Sequence, residues 1–463
     1  MKLIIREIFT NTIWISIGNV STVISGFLLI PLYTSTLTVS NYGAIDLVMI
    51  LISFFLPFVT LQSADALQTF LLKKRQNNNN LFFNSIIIFI VGFLFSLLFY
   101  KVVDSFSDGM ALWFYIVLLL MGLNMILSSF YKGINKIKIS SFSSLIESLS
   151  LIITMFVLLS YYNQGIRGFF ISIIFSKLLS FIFYLSHFIL FENDKDFEIN
   201  LKTVKLILVF SIPLIPNMLG WWISNLSDRY LIKYFLGFES NGIYALAVKF
   251  PLIINVISSI LISSWMISSI KNIELKNSRL FKVMFFLFSN ILLTIVIGIV
   301  FVLPFIFPLI IKSNQYFEAE EYIPILMISV FFSAFSSLFG VTYLAENKTK
   351  LAALTTIISG LLNILLNLIL IPIYGIWGAV ISTLISFLTI SIQRYFFVKK
   401  NTSIRFSYTH FTMLAFLLFL KQLFLYSLIS FIFSQTIILF LLFLSIFLLY
   451  RNFKDLKNLS LIN

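Results

Sequence analysis

Eight ionisable side chains fall inside stretches that are otherwise apolar: Asp46, Asp65, Glu147, Lys177, Asp228, Arg229, Lys249 and Lys421. An ionised group at mid-bilayer costs about 2.5–3.5 kcal/mol on insertion scales, so such residues face a cavity or a partner of opposite charge. Their chemistry is binding and charge compensation. The richest stretch runs from Phe210 to Tyr230, where Pro213 and Pro216 remove backbone donors and loosen a helix. Asn217, Asn225 and Ser227 add polar groups that lipid does not favour. Asp228 and Arg229 lie toward its outer end, and Lys249 returns to a similar depth in the next span. Two readings stay open. The charges tie neighbouring spans together, or Arg229 and Lys249, with Asn217, Asn225 and Lys177, line a cavity for an anionic substrate.

The acids carry a parallel ambiguity. Asp65 and Gln68 share one helical face, beside Gln62 and Ser63. Asp65 either sits at the inner interface paired with Lys73–Arg75 or couples transport to a proton or metal cation. Glu147, within Ser143–Ser150, has the same two readings, and Asp228 is a third acid available for coupling. Lys177 can also snorkel or pair, and Lys421 breaks the last apolar tract.

Bond-making machinery is missing. There is no cysteine, which excludes disulfides and thiolate metal sites, and the two histidines, His187 and His410, are far apart. No phosphate-cradling glycine loop, zinc-type His-Glu pair or Gly-x-Ser-x-Gly elbow occurs. The expectation is a non-enzyme without cofactor or catalytic residue.

The elements that position these residues follow from composition. Of 463 residues, 60% are apolar and 11% charged, against about 45–50% and about 25% in soluble domains. A membrane helix needs about 20 apolar residues, and the chain divides into fourteen spans near 8–33, 43–71, 81–100, 110–131, 140–161, 166–190, 206–236, 242–270, 283–310, 322–344, 351–372, 375–397, 408–430 and 435–450. The remaining residues make short connections with no room for a globular domain. The first span is too long for a signal-peptide core and reads as retained. The expected fold is all-α and polytopic: a six-helix bundle over 1–205, a second over 206–405, and a helix pair with a tail over 406–463.

Twenty-four of the thirty-two Lys and Arg fall on one set of alternating loops, including Lys132, Lys136, Lys138, Arg394 and Lys399. Four fall on the other: Lys101, Arg167, Lys233 and Lys312. Positive charge marks the cytoplasmic side, so both termini are expected there, and the net charge of +14 needs no nucleic acid to explain it. On the opposite side, Ser40-Asn-Tyr-Gly43 and Ser240-Asn-Gly242 occupy equivalent turns of the two halves. Six spans per half make the repeats parallel, a transporter plan that places the substrate at the repeat interface.

Asn11-Thr-Ile-Trp14, Leu37-Thr-Val-Ser-Asn-Tyr-Gly43, Ser211-Ile-Pro-Leu-Ile-Pro216, Asn225-Leu-Ser-Asp-Arg229 and Asn241-Gly-Ile-Tyr-Ala-Leu-Ala-Val-Lys249 resemble the Wzx-type polysaccharide (O-antigen) flippases. These belong to the multidrug/oligosaccharidyl-lipid/polysaccharide exporter superfamily, and the likeness covers essentially the whole chain. It implies two bundles around a central cavity worked by alternating access in the bacterial cytoplasmic membrane. The implied substrate is an undecaprenyl-pyrophosphate-linked oligosaccharide carried to the outer leaflet, with H⁺ or Na⁺ as coupling ions. Membrane lipid, a polysaccharide polymerase and chain-length machinery are the implied partners. By position, Arg229 and Lys249 would be cavity cations.

A cation-coupled multidrug antiporter of the same superfamily is the nearest alternative, but it favours an acidic cavity, whereas the in-span set holds four acids and four bases. A membrane polysaccharide polymerase needs a sizeable outer loop, which this chain lacks.

Overall fold

The computed structural model describes Trp14, Ile17, Gly18 and residues 20–73, 78–191, 198–272, 278–345, 349–401 and 435–447, without the side chains of 191, 216–225, 263–284, 342, 344–345, 349 and 399–401. Every described element is helical. Apolar runs of this length in lipid must satisfy their backbone groups internally, and the helix does so within one segment.

The chain forms two compact units, Met1–Ala245 and Leu246–Asn463. The first contains α1 (Val20–Thr36), α2 (Val39–Thr60), α3 (Ser63–Leu72), α4 (Asn78–Ser96), α5 (Tyr100–Phe106), α6 (Ala111–Gly133), α7 (Ile137–Met155), α8 (Gly165–Phe191) and α9 (Leu201–Ser211). It also holds most of α10 (Ile215–Lys249), a helix broken at Gly237. The second contains α11 (Leu252–Asn272), α12 (Ser278–Ile310), α13 (Ala319–Ala345), α14 (Thr349–Tyr374), α15 (Ile376–Asn401) and α16 (Gln435–Phe447).

Among the described residues ten stretches are long and apolar enough to cross a membrane, with Val20–Thr36 and Gln435–Phe447 as shorter apolar helices. The expected spans from 43–71 to 375–397 fall on described helix, 43–71 as two helices interrupted at Leu61 and Gln62; 8–33 and 435–450 do so only in part, and 408–430, like His410 and Lys421, lies outside the described residues. Pro213 acts as the sequence suggests: a single 3₁₀ turn, Ile212–Leu214, separates α9 from α10.

Aromatic packing fills both cores. In the first unit Phe130 meets Phe82 at 4.7 Å and Phe188 at 5.7 Å, and Tyr131 stacks on Tyr184 at 5.5 Å. In the second, Phe335 meets Phe331 at 4.7 Å and Phe285 at 5.3 Å. The connection after α8 is fastened by Asn84, whose amide donates to the Glu198 carbonyl at 3.0 Å and whose oxygen accepts from the Asn200 N–H at 3.1 Å.

Candidate functional site

Thr38 opens α2, its hydroxyl accepting from the Asn41 N–H at 3.2 Å and satisfying one of the donors a helix start leaves unpaired. The same segment then runs hard against the part of α10 beyond Gly237. A Cβ on Gly43 would lie 2.0 Å from the Phe238 carbonyl oxygen, and one on Gly242 would lie 2.0 Å from that of Val39. The offset of 199 residues relating Gly43 to Gly242 also relates Val39 to Phe238. The contact is therefore reciprocal, the signature of a two-fold crossing. Asn241 adds a hydrogen bond from its amide to the Gly43 carbonyl at 2.7 Å.

Immediately inside this crossing sits a charge cluster. Arg229 Nε donates to Asp46 Oδ2 at 3.1 Å, and the guanidinium carbon lies 5.3 Å from the centre of the Tyr244 ring. The Tyr244 hydroxyl donates to Asp228 Oδ2 at 2.9 Å. Asp46, Asp228, Arg229 and Tyr244 are 8%, 3%, 4% and 1% exposed, so all four are removed from solvent. Arg229 is thus tied to the second span. The two carboxylates outnumber the one guanidinium, and the Tyr244 hydroxyl and ring compensate by serving one acid and the cation together.

The other candidates fall elsewhere. Lys177 Nζ donates to Glu147 Oε1 at 2.7 Å between α7 and α8, with side chains 14% and 23% exposed. A residue proposed for substrate and one proposed for ion coupling are therefore each other's partners. Around them Asn124 donates to the Lys177 carbonyl at 3.0 Å and accepts from Ser180 at 2.9 Å, and Ser180 meets Ser143 at 2.6 Å. Asp65 stands in the first turn of α3, and the charge it feels is Lys132 of α6. Of its expected partners Lys73–Arg75, the latter two lie outside the described residues. Lys249 is half-buried in the second unit. The side chains of Asn217 and Asn225 lie outside the described residues.

An apolar cavity of about 350 Å³ adjoins the cluster in the first unit, lined by Leu51, Phe54, Phe55, Phe106, Leu226 and Tyr230 among others. Phe106 and Tyr230 meet across it at 5.1 Å. Such a lining accepts hydrocarbon and rejects a charged head group.

One buried cation falls among the inner-loop charges on the sequence. Arg394 of α15 is 5% exposed. It donates to the carbonyls of Ser336 (2.9 Å) and Ala352 (3.1 Å) and to the hydroxyls of Thr355 (3.1 Å) and Thr356 (2.8 Å). These acceptors belong to α13 and α14, so one guanidinium fastens three helices through neutral oxygens. Its place near the end of an apolar run gives no sequence signal for that role.

Residues 8–270 match the family described as polysaccharide biosynthesis protein, more than half of the chain. The chain belongs to the polysaccharide biosynthesis protein family. No curated protein sequence matches it significantly. Among solved structures, this family member is similar to a lipid II flippase, MurJ, in an inward closed conformation, with 17% identity and a TM-score of 0.73 over 97% of this chain and 99% of that one. It is also similar to an inward-facing multidrug resistance MATE family transporter of the MOP superfamily, with 12% identity and a TM-score of 0.68 over 84% and 94% of the two chains. A MOP superfamily transporter from Pyrococcus furiosus, described as having a binding pocket of reversed polarity, gives 13% identity and 0.58 over 85% and 96%. At these identities the likeness establishes the fold: the architecture is that of the MOP transporters.

Proposed function

We propose that the protein is a flippase that moves an undecaprenyl-pyrophosphate-linked oligosaccharide from the inner to the outer leaflet of the bacterial cytoplasmic membrane by alternating access, for surface polysaccharide assembly. The observation that carries the reading is the match to a polysaccharide biosynthesis family in a chain whose fold, over 97% of its length, is that of a lipid II flippase. A diphosphate and a string of sugar hydroxyls cannot cross hydrocarbon unaided, because each unpaired polar group costs several kcal/mol.

In this reading Arg229, Lys249 and Lys177 are the cations that meet the diphosphate, with Asn217 and Asn225 serving the sugars. Arg229 and Lys177 rest on Asp46 and Glu147, and phosphate oxygens take the place of those carboxylates as substrate enters. Arginine suits the exchange because its planar fork binds either group through two parallel hydrogen bonds. Asp65, Glu147 and Asp228 are the acids available for coupling.

Deleting the gene and extracting lipids tests the proposal: lipid-linked oligosaccharide is expected to accumulate in the inner leaflet, and complementation to clear it. Unchanged lipid-linked pools in the deletion strain would dismiss the flippase reading. The fold shared with a MATE transporter favours a second reading, cation-coupled drug export, which predicts altered drug sensitivity in the same strain with no change in those pools.

A further inference from the structure

We propose that the apolar cavity between α2, α5 and α10 is a binding site for one hydrocarbon chain of a bilayer lipid, and that the seated chain holds α2 against α10. The lining decides the class of ligand. Phe54 and Phe55 of α2, Phe106 of α5, and Leu226 and Tyr230 of α10 meet around a space of about 350 Å³. That volume has room for roughly ten waters at about 30 Å³ each, and each water needs two to four polar partners. Among the described residues Ser227 and Tyr230 are the polar side chains of the lining, too few to hold that water. An apolar cavity of about 150 Å³ stays dry and takes benzene, so on the same scale this one takes about a dozen carbons. That is the greater part of one lipid chain.

The way in is past α5. This helix ends the 29-residue apolar stretch Asn78–Phe106 and is set apart from α4 by the 3₁₀ turn Leu97–Phe99. Of its residues only Val103 is buried. Val102 and Phe106 line the cavity and are nevertheless 51% and 39% exposed. One short helix thus separates the cavity from the surroundings of a span, and around a span the abundant apolar species is the lipid chain. That commits the site to a bilayer lipid in preference to a soluble hydrocarbon.

Occupancy has a structural consequence because of where the walls lead. Leu51 lies five residues beyond Asp46 on α2, and Tyr230 follows Arg229 on α10. The helices that enclose the chain are therefore those that cross at Gly43 and Gly242 and are joined by Arg229 and Asp46. A ligand shaped to this cavity binds the two helices together and not apart, so it stabilises the crossing by mass action. Under the flippase reading a seated lipid slows the cycle, which makes lipid composition a regulator; that consequence rests on the transport reading, and chain binding does not.

The test is photolabelling of the purified full-length protein in lipid nanodiscs containing a phosphatidylethanolamine with a diazirine at mid-chain, followed by mass spectrometry of the digest. Leu51 and Val103 line the cavity and are 5% and 2% exposed, so a chain reaches them only by entering it. Leu47 and Val48 of α2 are 0% exposed and lie outside the lining, which makes them the control. Label at Leu51 and Val103 is expected to exceed that at Leu47 and Val48 several-fold. Leu226→Phe adds bulk to the lining and is expected to cut the Leu51 label several-fold, whereas Phe106→Ala thins the wall and is expected to raise it. If Leu226→Phe fails to fold, Phe106→Ala, at an exposed position, decides. Wild-type Leu51 labelled no more than Leu47 overturns the site, as does label that stays level or moves the opposite way in the folded variants. Adding lipid back to delipidated protein is expected to raise the melting temperature, and by less in Leu226→Phe; equal rises overturn the hold on α2 and α10. Lipid-pool measurements in the deletion strain separate the two proposals: a labelled cavity without a pool phenotype retires the flippase alone, and a pool phenotype with an unlabelled cavity retires this site alone.

Discussion

Arg229 is the residue on which the first unit's charge balance turns. Its partner in sequence, Asp228, is occupied by Tyr244, and its partner in space, Asp46, lies 183 residues away. The sequence therefore reveals that these charges sit within apolar spans, and nothing local reveals who pairs with whom. Breaking a buried ion pair from one side costs about 3–5 kcal/mol, because the other charge is left uncompensated, whereas replacing both members by apolar groups is often neutral. Arg229→Met and Asp46→Leu are each expected to destabilise the purified protein by about 3–5 kcal/mol, read by thermal unfolding in detergent. The double variant is expected to lose much less than the sum. Additive losses would show that the two side chains do not compensate each other. Transport separates stability from function: Arg229→Lys keeps the charge and loses the fork, so it is expected to retain most stability while slowing oligosaccharide transfer in vesicles. Arg394 shows the opposite limit of sequence reading. It falls with the inner-loop charges, yet its guanidinium is buried on carbonyl and hydroxyl oxygens of two other helices, acceptors common to every helix and therefore silent in a sequence.

Elements are where sequence reading succeeds most fully. Long apolar runs bounded by charge locate the helices, and Pro213 announces the turn between α9 and α10. The break at Gln62 has no such mark: neither of its left-handed residues is a glycine or a proline, so an uninterrupted span is the natural reading of 43–71. Gly237 shows the same limit from the other side. As a residue its presence suggests a bend, but its conformation, φ 87° and ψ 179°, is one that essentially only glycine adopts. Gly237→Ala is expected to cost about 1–3 kcal/mol, measurable as a lowered unfolding midpoint, and an unchanged midpoint would mean that the kink can be abandoned. At the Gly43–Gly242 crossing the obstacle is backbone, which cannot swing aside as a side chain can. Gly43→Ala and Gly242→Ala should each force α2 and α10 apart and loosen the Asp46–Arg229 contact beside them. Because the crossing is reciprocal, the two substitutions are expected to lower the melting temperature by similar amounts. A large loss for one and none for the other would contradict the symmetry.

At the scale of the whole molecule, the flippase proposal raises the question of what would drive the cargo outward. The sequence holds no nucleotide-binding loop, and the chain's charge is distributed by the loops, with 24 of 32 cations on one set. Placing that set in the cytoplasm means a lipid-linked diphosphate starts on the negative side of the membrane potential. Moving one negative charge outward across 100 mV is favourable by about 2.3 kcal/mol, so a head group carrying two gains about 4.6 kcal/mol, enough to bias its distribution roughly a thousandfold. In the proposed cycle, the ion pairs Arg229–Asp46 and Lys177–Glu147 would let the empty carrier return without moving net charge through those pairs, and the loaded one would carry the diphosphate. In vesicles reconstituted with the protein and a fluorescent lipid-linked diphosphate, imposing an inside-negative potential is expected to speed outward transfer, and clamping it to zero to slow it. Equal rates at both potentials would assign the driving force to the coupled cation or to consumption of the product on the far side. Reversal of the potential distinguishes these further, because a diphosphate driven electrically must accumulate inside when the sign is inverted, whereas one drawn by product removal must not.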